Sequence, residues 1–145
     1  MPGRQREPLL RVSSFVVLIG GREIGFAEVG SLTSETDLDD PDPRGRRAHR
    51  HPTVVLRRAL TSSTELYDWR RSIVEGKDDL RDVTIRQLSA PGGRVVNTWK
   101  LVRAWPSRWS GPAFNARATD VAVEELELSF DDLVWTTATT NDTGG

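Results

Sequence analysis

His49 and His51 form a His-x-His pair. On a strand such a pair points to one side and can hold a metal ion. Here its neighbours are Arg47 and Arg50, and no carboxylate stands at a short fixed spacing. Solvent-facing or interface histidines are the expectation. Asp37, Asp39, Asp40 and Asp42 are spaced like the start of a calcium loop. An EF-hand needs Gly at its sixth position and Glu at its twelfth; these are Asp42 and Ala48. A solvated acidic loop is expected instead. Glu124, Glu125 and Glu127 are carboxylates close enough for acid–base work. No His, Lys or apolar pocket can be assigned beside them, so an exposed sheet face, or a contact with arginines of a neighbouring subunit, is the better reading. The basic run from Arg44 to Arg58 suits nucleic acid by charge, but it lacks the interleaved aromatics of a stacking platform. There is no Gly-x-Ser-x-Gly elbow and no phosphate loop. Catalytic, metal and cofactor-binding residues are expected to be none.

The chain of 145 residues is of a size to bury one core. Net charge is -1, which gives no global bias toward nucleic acid or membranes. Cysteine is absent, which excludes disulfides, thiol catalysis and Cys-based zinc sites. The longest apolar run, Phe15 to Ile19, is far short of the roughly 20 residues of a membrane span. Behind Met1-Pro2-Gly3-Arg4 no apolar stretch of signal-peptide length follows, so a protein made and kept in the cytoplasm is expected, without membrane insertion. The basic residues are nearly all Arg, whose planar fork suits interfaces.

The elements that must position these residues read mainly as strands. Residues 1–10 form a polar arm, expected to be flexible. A strand over 11–19 meets Gly20-Gly21, a hairpin turn, and a second strand continues over 23–29. Residues 37–52 pass from acidic to basic and hold three prolines; a long inserted loop is expected. Strand character returns over 53–60. Ser62-Ser63-Thr64-Glu65 has the pattern of a capping box. Leu66, Trp69 and Ile73 then give one stripe of a helix over about 63–75, with Gly76 placed to end it. Val83, Ile85 and Gln87 share one strand face, Pro91-Gly92-Gly93 is a turn, and 95–104 and 121–130 are further strands. In the last of these, Val121 and Val123 sit on odd positions but Leu126, Leu128 and Phe130 on even ones. That change of parity predicts a bulge or a change of packing partner near Glu124-Glu125. Residues 136–145 are a polar tail, expected to be disordered. The sum is a mainly β domain over 11–135, an antiparallel sandwich or barrel with one short amphipathic helix.

Ala104-Trp105-Pro106-Ser107-Arg108-Trp109-Ser110-Gly111-Pro112-Ala113-Phe114-Asn115-Ala116 combines two tryptophans, two prolines and a Gly-Pro. Pro106 and Pro112 fix φ and remove donors, and Arg108 is near enough to stack on either indole. A stiff loop between strands, serving shape and not catalysis, is expected. Extended back to Trp99 and on to Val121-Ala122-Val123-Glu124-Glu125-Leu126-Glu127-Leu128, this segment resembles the tail tube family of contractile phages and phage-derived injection systems. Trp105, Pro106, Arg108, Trp109, Gly111, Pro112 and Asn115 are its signature residues. Weaker pieces agree in order: Phe15-Val16-Val17 with Gly25-Phe26-Ala27-Glu28-Val29, then Leu56-Arg57-Arg58-Ala59 with Glu65-Leu66-Tyr67-Asp68-Trp69-Arg70, then Arg81-Asp82-Val83-Thr84-Ile85. The likeness covers about 12–134. Leu60 stands where the family pattern has a glycine before the helix, and the loop 39–52 is unusually rich in Pro and Arg.

The resemblance implies a structural subunit with no cofactor and no catalysis. Family members form hexameric rings that stack into a hollow tube for cargo or DNA, inside a separate contractile sheath. It implies as partners further copies of the chain, the sheath protein, baseplate and tube-cap proteins, and cargo or DNA in the lumen. It also implies cytoplasmic assembly into a phage tail or an injection particle that is released or membrane-docked. Alternative readings are a minor tube-initiating or baseplate-proximal paralogue, or a ligand-binding or enzymatic β domain. Segregated charge suits contacts between unlike faces of neighbouring subunits. Asp37, Asp39, Asp40, Arg44, Arg46, Arg47, Arg50, Glu124, Glu125 and Glu127 are the interface candidates.

Overall fold

A computed structural model describes residues 12–35 and 51–138. The expected flexible arm over 1–10, most of the loop 37–52 and residues 139–145 lie outside the described residues. Strand β1 (Phe15–Ile19) turns through Gly20 and Gly21 into β2 (Arg22–Ile24). Both glycines take positive φ, 58° and 85°, as a two-residue hairpin with the right twist requires. The second strand expected over 23–29 is two strands. After Ile24 the chain leaves β1 and forms β3 (Glu28–Val29), which pairs with β4 (Thr53–Ala59) of the other sheet.

Helix α1 (Glu65–Val74) follows, shorter at both ends than expected. Gly76 closes it at φ 84°. The capping box does not form. Thr64 is the N-cap without a side-chain cap bond, and Glu65 reaches away from the helix to Arg22 and Arg58. Two guanidinium groups outbid one backbone N–H for that carboxylate, since charge-assisted bonds are the stronger.

Strands β5 (Arg81–Leu88), β6 (Val95–Ser110), β7 (Val123–Ser129) and β8 (Asp132–Thr137) complete the domain. The strand path is β2-β1-β5-β6-β7-β4-β3, antiparallel throughout, with β8 beside the first part of β6. One long strand therefore serves both sheets. Its first part pairs with β5 and β8, and its last part, from Trp105, pairs with β7. Thr136 and Thr137, expected in a disordered tail, pair with Thr98 and Asn97.

The parity change predicted for β7 is resolved differently. Pairing of β7 with β4 is unbroken from Thr53 opposite Ser129 to Ala59 opposite Val123. No bulge falls at Glu124-Glu125. Val121 and Val123 are simply exposed, and Glu124 takes the inward position ahead of Leu126 and Leu128. The bulges are in β6, where the register slips near Val96, near Arg103 and between Pro106 and Arg108. The inward residues are accordingly Asn97, Trp99 and Leu101, then Ala104 and Pro106, then Trp109. Each added residue bends and twists the strand, which carries β6 from one sheet to the other. Arg103, at the first corner, is the one non-glycine among the described residues with positive φ, 54°.

The core lies between the sheets: Val17, Ile19, Val83, Ile85 and Leu101 face Val54, Leu56, Leu126, Leu128 and Phe130. Helix α1 closes one end with Leu66 and Trp69, both buried. At the other end the sheets part around a mouth of ≈ 700 Å³ lined by Phe15, Val29, Leu32, Ile85, Gln87 and Trp99.

Candidate functional site: an assembly surface

The aromatic signature segment is not a loop. Trp105, Pro106, Arg108 and Trp109 all belong to β6, and only Gly111, Pro112 and Asn115 lie in the connection that follows. Proline fits inside this strand because its far edge has no strand partner there. Helix α1 covers it instead: Arg70 Nη1 donates to the Pro106 carbonyl at 3.0 Å, and Tyr67 meets the Trp109 ring edge-on at 5.2 Å. Arg108 stacks on neither indole. It stands opposite Glu127 across the ladder, while Trp105 packs against His51 at 4.9 Å. Gly111 is dictated by close approach, because a Cβ there would meet Trp109 Cη2 at 2.9 Å.

Trp109 also ties the signature to a buried charge node. Its Nε1 donates to Glu124 Oε2 at 2.8 Å, and Arg58 Nε donates to Glu124 Oε1 at 2.8 Å. Arg58 Nη1 donates to Glu65 Oε1 at 3.1 Å, and Arg22 pairs with Glu65 at 3.2 Å. Glu124 is only 1% exposed and Arg58 7%. Burial opposes the charge on Arg58, and the bonds from Glu124 and Glu65 outweigh it, so the guanidinium is held more firmly protonated than usual. The electrostatic partner of Glu124 thus lies within its own chain. The node joins β2, β4, α1, β6 and β7, and fixes where the helix closes the sandwich. Sequence reading missed it. The available signal was two opposite charges on apolar rows, Val54-Leu56-Arg58 and Glu124-Leu126-Leu128.

On the outer face of the same sheet, Arg57 bridges Glu28 and Glu125 at 2.5 Å each. The Glu125 and Glu28 bonds raise its pKa further above the ordinary guanidinium value. Glu125 and Glu127 therefore face the surface of the sheet, whereas Glu124 faces the core. Asp37, Asp39, Asp40, Arg44, Arg46, Arg47 and Arg50 lie outside the described residues, as does His49. His51 stands 3.5 Å from Asp131. Among the described residues no group of three or more side chains could hold a metal ion. No described helix is long and apolar enough to cross a membrane.

What this geometry offers is a β framework with charged sheet faces, an apolar mouth and, among the described residues, strand edges without a partner. Known structures carry the same framework. A chain of the sheath-tube complex of an extracellular contractile injection system (PVC), in its extended state, is 26% identical. It matches 91% of this chain and 94% of its own length, with TM-score 0.76. A chain of the sheath/tube terminator of the same system is 28% identical over 90% and 99%, with TM-score 0.77. A chain of the anti-feeding prophage tube-terminating cap shares the fold at 19% identity and TM-score 0.78, over 94% and 96%. Among curated protein sequences nothing matches. The profile of the T4-like virus tail tube protein gp19 family matches residues 11–134. Family and fold are those of structural tube proteins, not of enzymes. The chain is a member of the T4-like virus tail tube protein gp19 family.

Proposed function

We propose that the chain is the main inner tube subunit of a contractile injection system or phage tail. Six copies form a ring, rings stack into a hollow tube, and a separate sheath surrounds it. The observation that carries this reading is the end-to-end match to the sheath-tube chain, which leaves almost none of either chain over. Baseplate and cap proteins would bound the tube at its ends, and cargo or DNA would occupy the lumen. Assembly in the cytoplasm precedes incorporation into a particle. The charged loop 37–50, with Glu125 and Glu127 on the sheet face, supplies electrostatic contacts between copies.

A second reading has its own support. The likeness to the sheath/tube terminator is equally complete, and it favours a minor tube-end paralogue. Negative-stain electron microscopy of the purified protein across salt concentrations separates the two. Rings or tubes of uniform width are expected for the main subunit. Monomers at every concentration and salt would transfer the assignment to a tube-end protein that needs a partner.

A further inference from the structure

The connection after β6, residues 111–122, holds an aromatic ring out in solvent. Phe114 is 92% exposed, the most exposed large ring among the described residues. Its presentation is built. Trp109 lies over Gly111 at the base. Pro112 then fixes the chain direction. Directly after Phe114, Asn115 Oδ1 accepts from the Arg117 backbone N–H at 3.0 Å, and the Asn115 carbonyl accepts from Ala118 N–H at 3.0 Å. Such an Asx turn sets the chain without any help from Phe114 itself. The phenyl ring contributes nothing visible to the fold that carries it.

The opposite need exists at the mouth. Among the described residues, Phe15, Val29, Leu32, Ile85 and Trp99 line a mainly apolar recess of ≈ 700 Å³ that nothing covers. Two of its polar groups are engaged within the chain: Gln87 Oε1 accepts from Asn97 Nδ2 at 3.0 Å, and Glu28 pairs with Arg57, while Ser13 and Ser31 add hydroxyls at the recess. The recess therefore suits an apolar occupant. Knob and recess lie toward different ends of the long strand, Trp99 near the start of β6 and Phe114 four residues beyond its end. The fifteen residue steps from one to the other amount to roughly 50 Å of chain at full extension. Phe114 does not fill its own recess, since it is almost fully exposed.

We propose that Phe114 of one copy inserts into the Phe15–Leu32–Trp99 mouth of the next, as the apolar contact that joins copies head to tail. A projecting apolar group and a recess elsewhere on the same molecule make a heterologous contact, which repeats without limit or closes into a ring. The inference rests on the tube-subunit reading, which supplies the second copy as occupant. Burying one phenyl ring removes a large apolar area from water at each contact.

The absence of cysteine makes the test direct. Two single variants, Ser31→Cys on the rim of the mouth and Ala113→Cys beside the knob, are mixed and mildly oxidised. A covalent pair between the two different variants is expected, and adding Phe114→Ser to the second is expected to abolish it. Phe114→Ser alone should raise the concentration needed for polymerisation by at least about tenfold, the effect of withdrawing one buried ring. Tubes that persist unchanged in Phe114→Ser, with no mixed cross-link, would overturn the insertion while leaving the tube reading intact. A cross-link between two Ser31→Cys chains would mark a symmetric contact and also overturn it. The cross-link is read on soluble protein as well as on particles. Its absence therefore counts against the insertion even if no rings form, and lack of rings in the unaltered chain counts separately against the tube reading.

Discussion

The two ends of the sandwich are finished in opposite ways. At the helix end the largest ring is fully engaged: Trp69 is buried, its Nε1 donates to the Asp79 carbonyl at 2.8 Å, and Arg81 lies 4.8 Å over its ring. The Arg58–Glu124–Glu65 node sits behind it. At the mouth, Trp99 is only partly buried, and Trp135 stacks on it at 6.1 Å while remaining 63% exposed. The closed end spends its chemistry on holding one chain together. The open end leaves apolar surface uncovered by any described residue.

The sharpest way to break this contrast is at the buried node. Glu124→Leu leaves Arg58 charged, buried and short of its main partner, and it also orphans the Trp109 indole N–H. A loss of about 3–5 kcal/mol is expected for removing one member of a buried pair. Denaturant unfolding of the isolated subunit measures it. The double variant Arg58→Met/Glu124→Leu should recover most of that loss, because the desolvation cost goes with both charges. If the double variant were as unstable as the single one, the node would owe its worth to shape and not to charge. Trp69→Ala should cost a comparable amount, about 3–5 kcal/mol, from lost packing and the cavity it leaves.

These same residues mark where the sequence could be read and where it could not. Alternation put Val83, Ile85 and Gln87 on one strand face, which is the buried one, and the Gly20-Gly21 turn and the helix were legible because each has a local cause. The tube family was legible from the Trp-Pro-x-Arg-Trp-x-Gly-Pro run. Its conformation was not, because prolines and glycine forecast a loop, whereas a covering helix lets Pro106 sit inside a strand. The bulge or change of partner expected near Glu124-Glu125 is not there: β7 is regular, and Val121 and Val123 are exposed valines that do not mark an inward face. A charged residue at an inward position looks like a frame shift until its partner is seen, and Arg58 is 66 residues away. The mouth had no local signal at all, since Phe15, Val29, Ile85 and Trp99 come from four different strands.

The open end should answer mutation more weakly when the subunit is alone. Trp135→Ala removes one stacking contact and one hydrogen bond from a largely exposed ring. About 1 kcal/mol of subunit stability is expected to go, well below the effect of Trp69→Ala in the same assay. An equal loss at the two sites would erase the distinction between a finished and an unfinished end.

Acid sharpens the comparison with the smallest effect. Asp79 is held below the usual carboxylate range chiefly by its hydrogen bond from Arg81, and Asp82 chiefly by the backbone N–H of Arg103. Both carboxylates belong to the helix end or its corner, on the loop before β5 and on β5. A carboxylate whose pKa is lowered by folding stabilises the folded state above its unfolded value, near about 3.9. That contribution fades as pH falls through the lower, folded value. Denaturant midpoints measured from neutral pH down to about pH 3 should therefore decline in the native chain, and Asp79→Asn/Asp82→Asn should start lower and decline less, the two curves converging in acid. Both groups are partly exposed, so screening keeps the gap small. Parallel curves, with no convergence, would mean that these carboxylates act through packing and that acid loosens the molecule somewhere other than its closed end.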